Sequence, residues 1–311
     1  MRFAKPGDTI LGMGLNMGGH LTHGAKPTIS GKWFNPILYG VNKHGLIDYE
    51  QIQELANEHR PKIIIAGASA YSRKIDFKKF REIADSVSAY LFADIAHYAG
   101  LIVAGLYPSP MEHAHAVTST THKTLRGPRG GIILTNHEDI AKKLNSAVFP
   151  GVQGGPQMHS IAAKAVAFCE ALRPEFKEYA KNVVENSIAM AERLKEHGVD
   201  IVSGGTDCHL SIVDLSKFSI TGKVAEKELE EAGITCNKNT IPFDTLSPSL
   251  ASGIRIGSAA MTTRKMGVPE FKKISDLIYA ILSNYGKEGY DAVKTQVRAE
   301  TLELCRAFPL Y

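Results

Sequence analysis

Apolar residues follow two rhythms along this chain. The first is the short unbroken run. PKIIIAGAS (residues 61–69) is β-branched, closed by proline at one end and glycine and serine at the other, and predicts a buried strand. FKKFREIADSVS then switches period, placing Phe77, Phe80, Ile83 and Ala84 on one face of a helix. AYLFADIAH (89–97), HAHAVTSTTHK (113–123) and GGIILTN (130–136) predict three more strands. Strands separated by helices argue for an α/β fold, a mostly parallel sheet flanked by helices. Sheets of that kind take ligands at the carboxyl ends of their strands. Ser69, Asp94, His97 and Lys123 all fall at or just past those ends.

From about Ser160 the helices lengthen. IAAKAVAFCEAL is followed by FKEYAKNVVENSIAMAERLKEHG, which ends at a plausible glycine cap, Gly198. The strand-like HLSIVDLS, the helical AEKELEEAG, the strand-like GIRIG and two terminal helices complete a smaller C-terminal α/β domain. Its boundary lies near Leu172 and Pro174, giving domains 1–172 and 173–311.

Composition narrows the class. At 311 residues, 44% hydrophobic and 22% charged, the chain reads as globular. Its formal charge of +4 comes from scattered lysines, so no basic patch points to nucleic acid. No apolar run approaches the roughly 20 residues of a membrane helix, and MRFAKPGDTI lacks the pattern of a signal peptide. Cys169, Cys208, Cys236 and Cys305 form no Cys-x-x-Cys pair and read as reduced core thiols of a cytoplasmic protein.

The stretch TSTTHKTLRGPRGG places Lys123 after four small hydroxyl residues and a histidine, ahead of a glycine–proline–arginine turn. A lysine amine, with an ordinary pKa of about 10.4, becomes chemically useful when it condenses with a carbonyl. Pyridoxal phosphate is the common cofactor with that requirement, and its ring nitrogen wants an acidic partner. Asp94, at the end of the preceding strand, is the candidate, with His97 beside it. Taken singly, Asp94 reads equally as a helix cap or a surface turn carboxylate, and Lys123 more often as a surface residue; their pairing at successive strand ends reverses those readings in favour of the cofactor. Arg129 suits either a turn or a nearby anion, and FPGVQGGPQ (149–157) either an anion loop or a plain connection. GMGLNMGGH (12–20) fails the G-x-G-x-x-G spacing at Met17, with no opening strand–turn–helix unit to support it. His20 and His23 have no acidic or cysteine partner at metal-ligand spacing, although His20 could stack on a ring. Arg255, in SGIRIG, needs an anion if buried, either a ligand carboxylate or an internal acid.

Together VTSTTHKTLRGPRGG, LFADIAHYAGL, GGHLTHG, LNSAVFPGVQGGPQMH and SGIRIGSAAMTTR resemble serine hydroxymethyltransferases, fold-type I pyridoxal-phosphate enzymes, in the family's order along the chain. The resemblance implies conversion of serine to glycine and back, with a one-carbon unit moved to tetrahydrofolate. It implies that Lys123 carries the cofactor, Asp94 pairs with the pyridine nitrogen, His20 stacks over the ring, and Ser69 and His97 contact its 3-oxygen side. Arg129 and Gly155 belong to the cofactor set, Gly155 reaching the phosphate of the partner subunit in a homodimer. His122 tunes substrate and reaction preference, and Arg255 holds the amino-acid carboxylate. Leu15, Gly19, Asn239, Ser247, Pro248 and Ser249 contact the folate.

One departure lies at the front. In the family a sizeable segment precedes the part matching MRFAKPGDTI, with an acid/base glutamate, two tyrosines and a serine-glycine-serine phosphate loop. The expectation is a chain without that portion, whose isolated activity is in question. Two alternatives follow: a folate-independent threonine or β-hydroxy amino acid aldolase, and a non-catalytic fragment or subunit of a split enzyme.

Overall fold

The computed structural model describes residues 3–310. The chain divides into two compact units. One comprises residues up to Asn42, Leu46–Ser69 and Lys74–Ala180; the other Lys43–Gly45, Ala70–Arg73 and the chain from Lys181 onward.

The first unit is built on a six-stranded sheet of β1 (Thr9–Met13), β2 (Asn35–Tyr39), β3 (Ile63–Gly67), β4 (Tyr90–Asp94), β5 (Ala116–Thr120) and β6 (Gly131–Leu134), in the order β2-β1-β3-β4-β5-β6. All neighbours are parallel except β5 and β6, which run antiparallel. The four strands expected from the apolar runs are all present, each shorter than the run. Contrary to the sequence-based expectation, a strand does lead into GMGLNMGGH: β1 ends at Met13 and a single 3-10 turn, Leu15–Met17, follows. The glycines there serve close packing. A Cβ on Gly12 would strike the His23 carbonyl, and one on Gly19 the Met13 carbonyl.

Helices α2 (Tyr49–His59) and α3 (Phe77–Ser86) start at aspartate caps, Asp48 accepting from the Gln51 amide and Asp76 from that of Lys79. The α3 face named above is fully buried, Phe77 and Phe80 with the sheet side chains Leu11, Ile64 and Leu91 in the core. Burial of such side chains contributes about 1.5–3 kcal/mol each, and the core forms around them. The other helices of this unit are α1 (Ile29–Trp33), α4 (Ala99–Val103), α5 (Glu138–Ser146) and α6 (Met158–Ala171).

Helix α7 (Pro174–Glu196) runs into the second unit and stops where Gly198, at φ 78°, turns the chain and donates to the Lys195 carbonyl. Here β7 (Asp200–Ile201), β8 (Leu210–Asp214), β9 (Asn237–Asn239) and β10 (Gly253–Gly257) form a four-stranded sheet, ordered β7-β8-β10-β9 and antiparallel throughout, with α8 (Gly222–Glu231) between β8 and β9 in the chain. Helices α9 (Ala259–Thr263), α10 (Val268–Asn284) and α11 (Tyr290–Ala307) follow. Val213, Leu229, Ile254, Phe271 and Ile278 share its core. Glu228 anchors α11 to α8, accepting from the Tyr290 hydroxyl and the Lys294 ammonium, each at 2.7 Å. The four cysteines are free, but only Cys208 is buried; Cys169 is exposed, because it falls on the outer face of α6. Among the described residues no helix is long and apolar enough to cross a membrane.

Candidate active site

Three consecutive sheet positions carry the site. Gly67 on β3 pairs with Asp94 on β4, and Asp94 pairs with Thr118 on β5. Just beyond these ends lies a cleft of about 200 Å³, lined among others by His20, Ser69, Asp94, His97 and Lys123. The structure thus brings together five residues that the sequence spreads over a hundred positions. Gly67, at φ 150°, is needed here, since a Cβ would press on the Asp94 carbonyl.

The hydroxyl residues before Lys123 build its turn. Thr121 Oγ1 donates to the Pro128 carbonyl at 2.5 Å, the Thr121 amide donates to Gly130 at 3.0 Å, and its own carbonyl accepts from Gly127 at 2.6 Å. Thr124 Oγ1 donates to the His97 carbonyl at 2.8 Å and accepts from the Gly100 amide at 3.1 Å, tying the turn to the segment after β4. Arg126 closes the same turn through its amide on the Lys123 carbonyl, its guanidinium lying 3.9 Å from the Tyr179 ring centre on α7. The unusual setting of Lys123 is therefore a rigid turn that fixes the root of its side chain.

Asp94 has a partner that sequence reasoning did not find. His23 is 3% exposed, and its Nε2 lies 2.9 Å from Asp94 Oδ2. The His20 amide approaches His23 Nδ1 at 3.4 Å, which leaves the ring proton on Nε2 for the carboxylate. The Ala96 amide occupies the other oxygen, Oδ1, at 3.1 Å. Burial alone would raise the Asp94 pKa; the His23 hydrogen bond and charge, the Ala96 amide and His20 outweigh it, and the group sits below its ordinary value. The carboxylate stays ionised. His23 does have an acidic partner after all, but 71 residues away in sequence, where no spacing rule reaches.

His122 neighbours the lysine. Burial, then the charges of Arg129 and Lys123, push its pKa down, so its imidazole is neutral near pH 7. Arg129 is exposed, its Nη1 3.5 Å from His122 Nε2. Gly155 lies on an exposed loop between α5 and α6. In the second unit, Arg255 is half-buried in the middle of β10, less enclosed than the flanking apolar residues suggest. Asn239 ends β9, and Ser247, Pro248 and Ser249 are exposed on the loop that joins β9 to β10. Leu15 begins the 3-10 turn after β1, and Gly19 lies just beyond it.

Comparison with known proteins settles the family. The profile described as serine hydroxymethyltransferase matches residues 1–278. The chain belongs to the serine hydroxymethyltransferase family. Among curated members, the serine hydroxymethyltransferase of Wolbachia sp. subsp. Drosophila simulans (strain wRi) is 60% identical over 98% of this chain and 72% of its own length. Those of Paramagnetospirillum magneticum and Rhodospirillum centenum are 59% and 58% identical over the whole chain and 74% and 73% of theirs. The two units agree with the fold-type I transferase architecture of the family, a largely parallel sheet flanked by helices with a smaller antiparallel sheet. The chain is thus an enzyme of the glycine hydroxymethyltransferase class, and neither alternative reading is favoured.

Proposed function

We propose that this chain interconverts serine and glycine with pyridoxal phosphate as cofactor and tetrahydrofolate as one-carbon carrier. The observation that carries the reading is a single cleft at the strand ends lined by an ionised Asp94 and by Lys123, in a chain of this family. The donor set fits the cofactor: one carboxylate, one primary amine, two imidazoles and several hydroxyls around one cleft. When bound, pyridoxal phosphate supplies an aldehyde that captures amines and an electron-poor ring that absorbs negative charge from the neighbouring carbon.

Lys123 would hold the aldehyde end. Asp94, kept ionised by His23 and Ala96, would hold a proton on the pyridine nitrogen. His20 would stack on the ring, Ser69 and His97 would contact its 3-oxygen side, and Arg129 and Gly155 would serve the phosphate, Gly155 in the partner subunit. His122, as a neutral imidazole, is able to accept a proton beside Lys123. Arg255 offers a two-pronged guanidinium to the amino-acid carboxylate. Leu15, Gly19, Asn239 and Ser247–Ser249 receive the folate. A homodimer in the cytoplasm is part of the reading. Phe149, Val152 and Met158, around the Gly155 loop, are 64%, 76% and 65% exposed, an apolar surface suited to a second copy.

The test is spectroscopic and kinetic. Added pyridoxal phosphate should give a visible absorbance band that Lys123→Ala abolishes, and serine turnover should depend on tetrahydrofolate. A folded protein without the band overturns the cofactor assignment. Turnover indifferent to folate overturns the transferase reading in favour of an aldolase.

A further inference from the structure

The loop 240–252, which joins β9 to β10, is long for a hairpin connection and carries two residues in left-handed conformations, Phe243 at φ 61° and Ala251 at φ 57°. Something must hold it. One side chain does so. Asp244 Oδ1 accepts from the Leu246 amide at 2.9 Å and from the Ser252 hydroxyl at 2.6 Å. Asp244 Oδ2 accepts from the Ile241 amide at 3.2 Å and the Ser252 amide at 2.8 Å. A carboxylate offers about four acceptor sites. All are taken within the loop, so Asp244 has no capacity left for a substrate or its proton. The loop base is fixed a second time, where the Gly222 and Lys223 amides at the start of α8 donate to the Ala251 and Leu250 carbonyls, both at 2.8 Å. Between these anchors Ser247–Leu250 stay exposed, with the Ser247 and Ser249 hydroxyls 2.8 Å apart.

We propose that Asp244 is a positioning residue that pre-forms the loop 240–252, so that tetrahydrofolate meets an ordered Ser247–Ser249 segment. The proposal rests on the folate role of that segment given above. A flexible loop must lose conformational freedom when ligand binds, and that loss weakens affinity; a loop ordered beforehand avoids it. In Asp244→Asn the shape is kept, but an amide NH2 faces N–H and O–H donors and half the acceptor set is lost.

The experiment compares wild type, Asp244→Asn and Ser252→Ala as holoenzyme. Hydrogen exchange at the amides of Ile241, Leu246 and Ser252 should be slow in wild type and fast in Asp244→Asn. The KM for tetrahydrofolate should rise about tenfold, the scale expected for losing charge-assisted hydrogen bonds. At saturating folate kcat should stay within about twofold, and cleavage of a β-hydroxy amino acid without folate should be unchanged. Ser252→Ala should shift KM in the same direction by less. An unchanged KM overturns the proposal. So does an equal fall in the folate-dependent and folate-independent rates, which would mark Asp244 as a general fold contact. A wild type indifferent to folate would instead overturn the reading of the segment itself.

Discussion

Replacing His23 by leucine tests the electrostatics of the site most sharply. The change leaves a carboxylate that is only 22% exposed without its hydrogen-bond donor, because the histidine ring supplies Asp94 Oδ2 from a position 3% exposed. A hydrogen bond to a charged group contributes about 1.5–3 kcal/mol. Losing that hydrogen bond, which favours the ionised form, moves the Asp94 pKa upward. Asp94 sits below its ordinary value of 3.8, so its contribution to folding is present above that value and is lost as pH falls through the folded pKa. Removing His23 moves this window toward higher pH. With Asp94 in its proposed role, cofactor affinity should follow the same window, since an uncharged Asp94 would no longer hold a proton on the pyridine nitrogen. The expectation for His23→Leu is a loss of about 10–100-fold in pyridoxal-phosphate affinity, with its acid limb displaced toward higher pH. Titration of the visible absorbance band across a pH series reads both quantities. His23→Gln, which keeps a donor, should recover part of each. Affinity and pH limb both equal to wild type in folded His23→Leu would show that the His23 hydrogen bond does not govern the charge of Asp94.

Two further outcomes follow from packing. A Cβ on Gly100 would collide with the Thr124 backbone, so Gly100→Ala should destabilise by about 1–3 kcal/mol, lower Tm and weaken cofactor retention by disturbing the Lys123 turn. Burial pushes the Cys208 thiol up to about 11 while Cys169 is exposed, so iodoacetamide should label Cys169 in the native protein and reach Cys208 only after unfolding, as peptide mass mapping would show.

The legible parts of this chain were those whose physics is local. β3, β4 and β5 could be read because β-branched runs closed by glycine, proline or polar residues have few other uses, and α3 because its four apolar positions share one face. β1 and β2 were missed, TILGM for its glycine and NPILY for its proline, residues that single-strand patterns count against a strand. Tertiary pairing with each other and with β3 overrides that preference. Lys123 and Asp94 were visible as successive strand ends. His23 was not: it reaches Asp94 only because Gly12 lets its turn settle onto β1. Asp244 was likewise silent, since its four partners are mostly backbone amides that carry no sequence signal. The assignment of residues 43–45 and 70–73 to the second unit is also a matter of packing that chain order does not reveal.

In the proposed reading one amine, that of Lys123, on a turn built by its neighbouring threonines, binds the aldehyde of pyridoxal phosphate. Borohydride reduction of the cofactor-loaded protein, followed by digestion and mass mapping, reads the attachment point directly. One phosphopyridoxyl group per chain is expected, on Lys123. Label absent from Lys123, or scattered over exposed lysines, would contradict it.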